Sequence, residues 1–329
     1  MSARPEGDGD SANPYVLLSL TMVLWGSGFA SSKAMVEQMP HSVAAVLRFG
    51  GGALFLLLAL WTFGRGRRRT TWREAMPAAI AGVLGVFLYN FFFFWGLDLA
   101  PSMDGSTVVP VMSPVLTAGY LLLTRQEKAS PVRSTGLIVG LLGASVFLVG
   151  AGVSPEGGTR LLGDVLFFLS AASWAAYTMI GRKVLSGIDP LKATTYATVA
   201  GSLLLSIYAA PSYADVDWTG FSTLFWVNAV YLALGPTAIA YLFYYRGVKA
   251  VGPASATVMM FLVPVTGMIC SAVFLNESFG LVQGIGAVIL LLGAIVAVTE
   301  GRMPWRRKKA PETADPAPVS VHASRMGIR

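Results

Sequence analysis

Apolar positions in this chain gather into long continuous runs from Pro14 to Thr299, with charge, proline and glycine confined to short breaks between them. A helix needs roughly 20 apolar residues to cross a hydrocarbon core about 30 Å thick, and its backbone amides must pair within the segment. The runs lack the in-and-out alternation of a membrane barrel. Their breaks predict ten helical spans, near 14–35, 41–63, 75–96, 102–123, 132–150, 163–183, 190–210, 222–245, 252–275 and 279–299. The fold class expected is an all-α membrane protein with ten transmembrane helices.

Composition points the same way. Only 12% of residues are charged and the mean hydropathy is +0.63, whereas a soluble domain carries about 25% charged residues. That excludes a water-soluble enzyme core and a disordered chain together. The 24 Lys and Arg residues then test the span count, because correct spans sort them onto one side. Alternating the loops collects 21 of them on one side and leaves only Lys33 and Arg160 on the other, with Arg48 inside a span. By the positive-inside rule both termini face the cytoplasm, as expected for a multi-pass protein of a bacterial inner membrane. Residues 1–13 read as a cytoplasmic tail without the basic start of a signal peptide. The tail 300–329 opens with a basic stretch suited to anionic lipid headgroups rather than nucleic acid, and continues as a disordered Pro- and Ala-rich segment. The one cysteine, Cys270, falls within a span, so neither a disulfide framework nor a metal cluster is expected, and no cofactor.

Sliding the chain against itself aligns residues at one offset of 150: Lys33 with Lys183, Pro40 with Pro190, Thr107 with Thr257, Pro114 with Pro264, Glu127 with Glu277, Gly136 with Gly286 and Gly143 with Gly293. The chain therefore divides into a five-helix repeat over 14–150, a linker over 151–162 and a second repeat over 163–299. Five is odd, so the second copy crosses the membrane in the opposite sense. Inverted repeats of this kind hold a substrate site near the midplane between the halves, and exchange of their packing opens it to each side in turn.

The same residues resemble the drug/metabolite transporter superfamily of EamA type. The likeness runs over about residues 14–299, through Trp25-Gly26 and Lys33, Pro40 with Leu47-Arg48-Phe49, Pro114 with Glu127, and Pro264 with Glu277, Gly286 and Gly293. It implies export of small metabolites such as amino acids, a central cavity between two inverted five-helix repeats, and the fifth and tenth spans as scaffold. Thr198 stands where the repeat would place a second Arg48, so any role of that arginine is not duplicated.

Charges in or near the spans are the first candidates. Arg48 lies about seven residues into its span, where a charge must face protein or water; it either contacts a substrate carboxylate or a gate, or snorkels to headgroups. Lys33 with Glu277 at one end, and Lys183 with Glu127 at the other, form two symmetry-related candidate ion pairs that close opposite mouths. The alternative is four interfacial charges without fixed partners. Asp98, Asp104, Glu127, Asp164 and Glu277 all lie near span ends, and His41 and His322 outside the core. No proton relay is evident, which favours exchange or facilitated diffusion over proton antiport.

Polar and aromatic residues within the spans mark the candidate cavity: Trp25 and Ser27, Tyr89, Asn90 and Phe93, Trp174, Tyr177 and Thr178, and Tyr241 and Tyr244. Aromatic faces with a few hydroxyls suit a small amphipathic solute bearing an ammonium group. Packing or an interfacial belt is the competing reading for aromatics at span ends, such as Trp95 and Tyr245. Pro110, Pro114, Pro236 and Pro264 each remove a backbone donor and are hinge candidates, with plain packing as the alternative. Gly136 and Gly140 read as a close helix contact, or more weakly as a dimer seam; monomer and dimer both stay open. The chain shows no HExxH, no pair of buried aspartates and no phosphate-cradling loop, so an enzyme or ATP-driven pump has no residues to run on. A secondary exporter of amino acids or related solutes is expected, with a channel-like facilitator or a membrane scaffold as alternatives.

Overall fold

The computed structural model describes residues 13–63, 71–125, 130–153, 157–184, 188–251 and 259–299, and among these it is helical throughout its ordered elements. The helices are α1 Pro14–Val36, α2 His41–Phe63, α3 Trp72–Gly82, α4 Tyr89–Leu99, α5 Ser102–Leu123, α6 Pro131–Gly152, α7 Gly157–Val184, α8 Pro190–Ala209, α9 Thr223–Leu232, α10 Ala240–Val251, α11 Leu262–Leu275 and α12 Leu281–Thr299. The π-helical segments Val83–Leu88 and Ala233–Ile239 join α3 to α4 and α9 to α10 into single spans. Among the described residues, nine helices are long and apolar enough to cross a membrane, and α11 is a shorter apolar helix. The protein is an integral multi-pass membrane protein. The first half of the expected ninth span, 252–258, lies outside the described residues, as do both tails and Glu127.

Local sequence sets where the helices begin. Asn13 accepts from the Tyr15 amide at 3.0 Å, Ser130 from Arg133 at 3.1 Å and Asp189 from Leu191 at 3.1 Å, each just ahead of a proline at the first helical position. Cap and proline together satisfy the orphan amides and preset the first turn. One boundary differs from the hydropathy reading: α7 starts at Gly157, inside the expected linker, because the charge of Arg160 is compensated within the protein instead of sitting in a loop.

α6 and α12 make the tightest seam. A methyl on Gly136 would collide with the Ala297 backbone, on Gly143 with Leu290, on Gly286 with Phe147 and on Gly293 with Gly140. Ascending residues of α6 meet descending residues of α12, so the fifth and tenth spans run antiparallel. The contact Gly143–Leu290 recurs as Gly293–Gly140 when each residue is replaced by its counterpart 150 positions away. Two equivalent helices meeting about such an axis is what an inverted repeat requires. The small-residue stripe of α6 is thus occupied by α12 of the same chain, which removes it as a dimer seam.

Candidate functional site

The two π-helical segments fall at the same place in the two repeats, 150 residues apart. Such segments leave carbonyls outside the regular ladder and often mark functional sites. Here they are met by neighbours: Trp25 Nε1 donates to Pro236 O at 3.1 Å, Asn90 Nδ2 to Val86 O at 2.7 Å and Thr237 Oγ1 to Leu232 O at 2.9 Å. A cavity of about 50 Å³ is reached by Tyr89 and Tyr241, just past the two segments, and is lined from the first repeat by Trp25, Phe29, Arg48, Phe49, Tyr89 and Phe93 and from the second by Trp174, Tyr241, Met260 and Val263. A water needs on the order of 10–15 Å³ by this measure, so the cavity holds a few waters and must widen to admit a larger solute.

Its wall is an aromatic cage. The Trp25 ring lies 6.2 Å from Trp174 and 5.7 Å from Tyr241, Tyr89 lies 5.3 Å from Trp174, and Trp174 lies 6.3 Å from Tyr241. Four rings from four helices of both repeats converge there. Arg48 enters the same cavity and is buried. Its Nη1 donates to Ser32 Oγ at 2.9 Å, its Nε reaches Thr237 Oγ1 at 3.5 Å, and its guanidinium stands 5.0 Å and 5.6 Å from the Phe49 and Phe93 ring centres. Among the described residues no carboxylate pairs with it. A buried guanidinium without an anionic partner has unspent capacity for one.

The other candidates distribute differently. Asn90 is fully buried and turns back onto its own helix, so it stabilises the π segment from outside the cavity wall. Ser27 bonds the Tyr231 hydroxyl at 2.6 Å and faces a lateral groove beside α9 and α11. Tyr177 packs over Gly85 and against Trp174, Tyr244 stacks behind Trp25 at 5.0 Å, and Thr178 is exposed and donates to Trp174 O. Pro110 lines the cavity, and α5 runs unbroken through it and Pro114. Pro236 sits within the second π segment, and Pro264 is buried in the first turn of α11. Phe29, Phe49, Val109, Ser113, Met260 and Val263 complete the wall; as ordinary apolar or small residues they carry no mark in the sequence that separates them from packing.

At the end of the bundle away from the termini, Lys33 and Glu277 do not pair directly. Lys33 Nζ donates to Leu97 O at 2.7 Å and Ala100 O at 3.3 Å, where α4 ends. Glu277 accepts from the Ser102 and Met103 amides at 2.9 and 2.8 Å and from Ser102 Oγ at 2.9 Å, where α5 begins. A cation at a helix C-terminus and an anion at a helix N-terminus each complement the local dipole, and this outcompetes a mutual pair. Asn276, in the left-handed conformation, turns the chain so that Glu277 can reach α5. Burial raises the Glu277 carboxyl above its usual range, while those hydrogen bonds and nearby Lys33 pull it back down. The counterparts at the other end cannot be compared, since Glu127 and the Lys183 side chain lie outside the described residues. His41 bridges Asp98 at 3.1 Å and Tyr208 at 2.9 Å, tying α2, α4 and α8.

Two carboxylates read as terminal are in fact enclosed. Asp104 and Asp164 are both 0% exposed. Arg160 grips Asp104 through Nε at 2.7 Å and Nη2 at 2.9 Å, and Nη2 also donates to Gln283 Oε1 at 2.7 Å.

Comparison with known proteins follows this geometry. The aromatic amino acid exporter YddG of Ancylobacter novellus is 27% identical over 300 residues, 89% of this chain and 99% of that protein. The transporter YyaM of Bacillus subtilis is 26% identical over 89% of this chain and 95% of its own length. A probable terminal-alkyne amino-acid exporter of Streptantibioticus cattleyicolor is 25% identical over 89% and 95%. A solved structure of 23% identity superposes with a TM-score of 0.61 over 87% of this chain and 98% of that one, which supports the fold alone. The model of the EamA-like transporter family matches twice, over residues 13–149 and 161–299, one match per repeat. With ten helices in two copies of one unit and a cavity where the copies meet, this chain belongs to the EamA-like transporter family.

Proposed function

We propose that the protein exports amino acids or closely related amphipathic solutes by alternating access. The observation that carries this reading is Arg48, buried in a cavity walled by both repeats and without a carboxylate of its own. A substrate carboxylate takes the guanidinium fork, displacing the weak contact to Thr237, while its ammonium and side chain meet the rings of Trp25, Tyr89, Trp174 and Tyr241. The amino-acid exporters among the relatives support this class of solute. The cavity widens as the repeats rock about the α6–α12 seam, and the π segments let the third and eighth spans bend on either side of it. Lys33 and Glu277 hold the α4–α5 turn in place at one mouth; by repeat symmetry Lys183 and Glu127 serve the other. The charge asymmetry of the loops sets both termini in the cytoplasm of a bacterial inner membrane, with lipid headgroups against the basic loops.

The test is a counterflow screen in proteoliposomes loaded with single amino acids, followed by labelled solute of the same kind. Saturable uptake with trans-stimulation, weakened in Arg48→Ala, supports the reading. Unsaturable flux marks a channel, and no flux for any amino acid, with wild-type folding intact, contradicts an amino-acid carrier.

A further inference from the structure

The cluster of Asp104, Arg160, Asp164 and Gln283 has no part in that cavity. It lies where α5, α7 and α12 meet, at the end away from the termini, and its geometry does not balance as fully ionised groups. Arg160 commits its fork to Asp104 and its Nη2 also to Gln283. The Asp164 carboxyl lies beside that of Asp104, yet neither Asp164 oxygen has a hydrogen-bond partner among the described residues, and the residue is 0% exposed. A buried carboxylate with no donor is strongly disfavoured, and two adjacent ones more so. A single proton on Asp164 removes the defect, since the protonated carboxyl donates to Asp104 and the pair then carries one negative charge against one guanidinium.

Among the described residues, the other charged groups at this end are bonded elsewhere or exposed, Asp217 accepting from Thr219 and Asp215 facing outward on the α8–α9 connection. Lys33 in α1 sits on the Leu97 and Ala100 carbonyls, Asp98 in α4 meets His41, Glu277 caps α5, and Glu37 at the end of α1 is exposed. The cluster is also unsymmetrical. The positions 150 away from Asp104 and Asp164 are Ala254 and Pro14, so the repeat supplies no such group at the opposite mouth.

We infer that Asp104 and Asp164, with Arg160 and Gln283, form a binding site for one exchangeable proton that is held while α5, α7 and α12 are closed at this end. Opening the mouth admits water, both carboxylates ionise and the proton leaves to that side. Protonation therefore favours the closed arrangement and deprotonation the open one, because in the closed arrangement neither water nor a donor reaches the Asp164 oxygens. This differs from the sequence expectation of a chain without enclosed carboxylates, and it does not depend on which solute occupies the central cavity.

Infrared spectroscopy of the full-length protein in lipid tests it, titrating from about pH 5 to about pH 9, the range that buried carboxyl groups reach. The expected result is a carbonyl-stretch band of a protonated carboxylic acid at neutral pH that shifts in D2O, is absent in Asp164→Asn and persists in Glu277→Gln. Should Asp164→Asn fail to fold, Asp164→Glu must move the band in frequency. A spectrum with no protonated-acid band at neutral pH, or a band that is unchanged by both Asp164 substitutions, overturns the proposal.

Discussion

Arg48 is the side chain on which the proposed function rests most heavily. Ser32 and Thr237 satisfy part of its fork, and the Phe49 and Phe93 rings cover its faces, which leaves a cation prepared for an anion. A hydrogen bond to a charged group is worth about 1.5–3 kcal/mol, so Arg48→Ala should raise the half-saturating concentration of a carboxylate substrate roughly 10- to 100-fold. Arg48→Lys should recover only part of this, because an ammonium lacks the planar fork. Equal affinity in all three proteins, read from counterflow saturation curves, would remove Arg48 from the site. Trp25 acts differently, since its Nε1 is committed to Pro236 O. Trp25→Phe keeps a ring in the cage but strands that carbonyl, at a cost of about 1 kcal/mol in stability, measurable as a lower melting temperature in detergent. An unchanged melting temperature would mean that water replaces the indole.

Among the elements, the α6–α12 seam and the π segments have opposite duties. The seam must not yield: Gly143→Ala places a methyl against the Leu290 backbone and should destabilise by about 1–3 kcal/mol. Gly119→Ala in α5 meets nothing nearby, so there the gain in helix propensity, about 1 kcal/mol, should appear instead. Opposite signs in thermal melts are expected, and equal effects would deny the close approach. The π segments are where bending is proposed. Pro236→Ala restores a backbone donor within the second π segment, and should raise the melting temperature while slowing counterflow; faster transport would contradict a hinge role. These elements also mark the limit of what sequence conveys. The spans, the repeat and the glycine seam were legible because hydropathy, a constant offset and small residues each leave a direct trace. The π segments were not, since Val83–Leu88 is as apolar as its flanks and only Pro236 hinted at the second. Arg160 was read as a loop charge because hydropathy sees the charge and not the carboxylate that neutralises it. Lys33 and Glu277 were matched by sign, whereas the folded chain pairs each with a helix end.

On the scale of the whole molecule, two copies of one five-helix unit meet in opposite senses, and their shared cavity is too small in this arrangement for anything larger than a few waters. The proposed alternating access requires this cavity to open toward both sides in turn. Ser113 lines the cavity from α5 and is small enough to exchange for cysteine without a change of shape, and the native Cys270 lies in α11, so Cys270→Ala gives a clean background. The most direct measurement is labelling of Ser113→Cys by a membrane-impermeant maleimide added to one face of sealed vesicles of known orientation, and separately to the other. The account predicts reaction from both faces, slowed from each by a transported solute. Reaction from one face only, whatever the solute and pH, would contradict it.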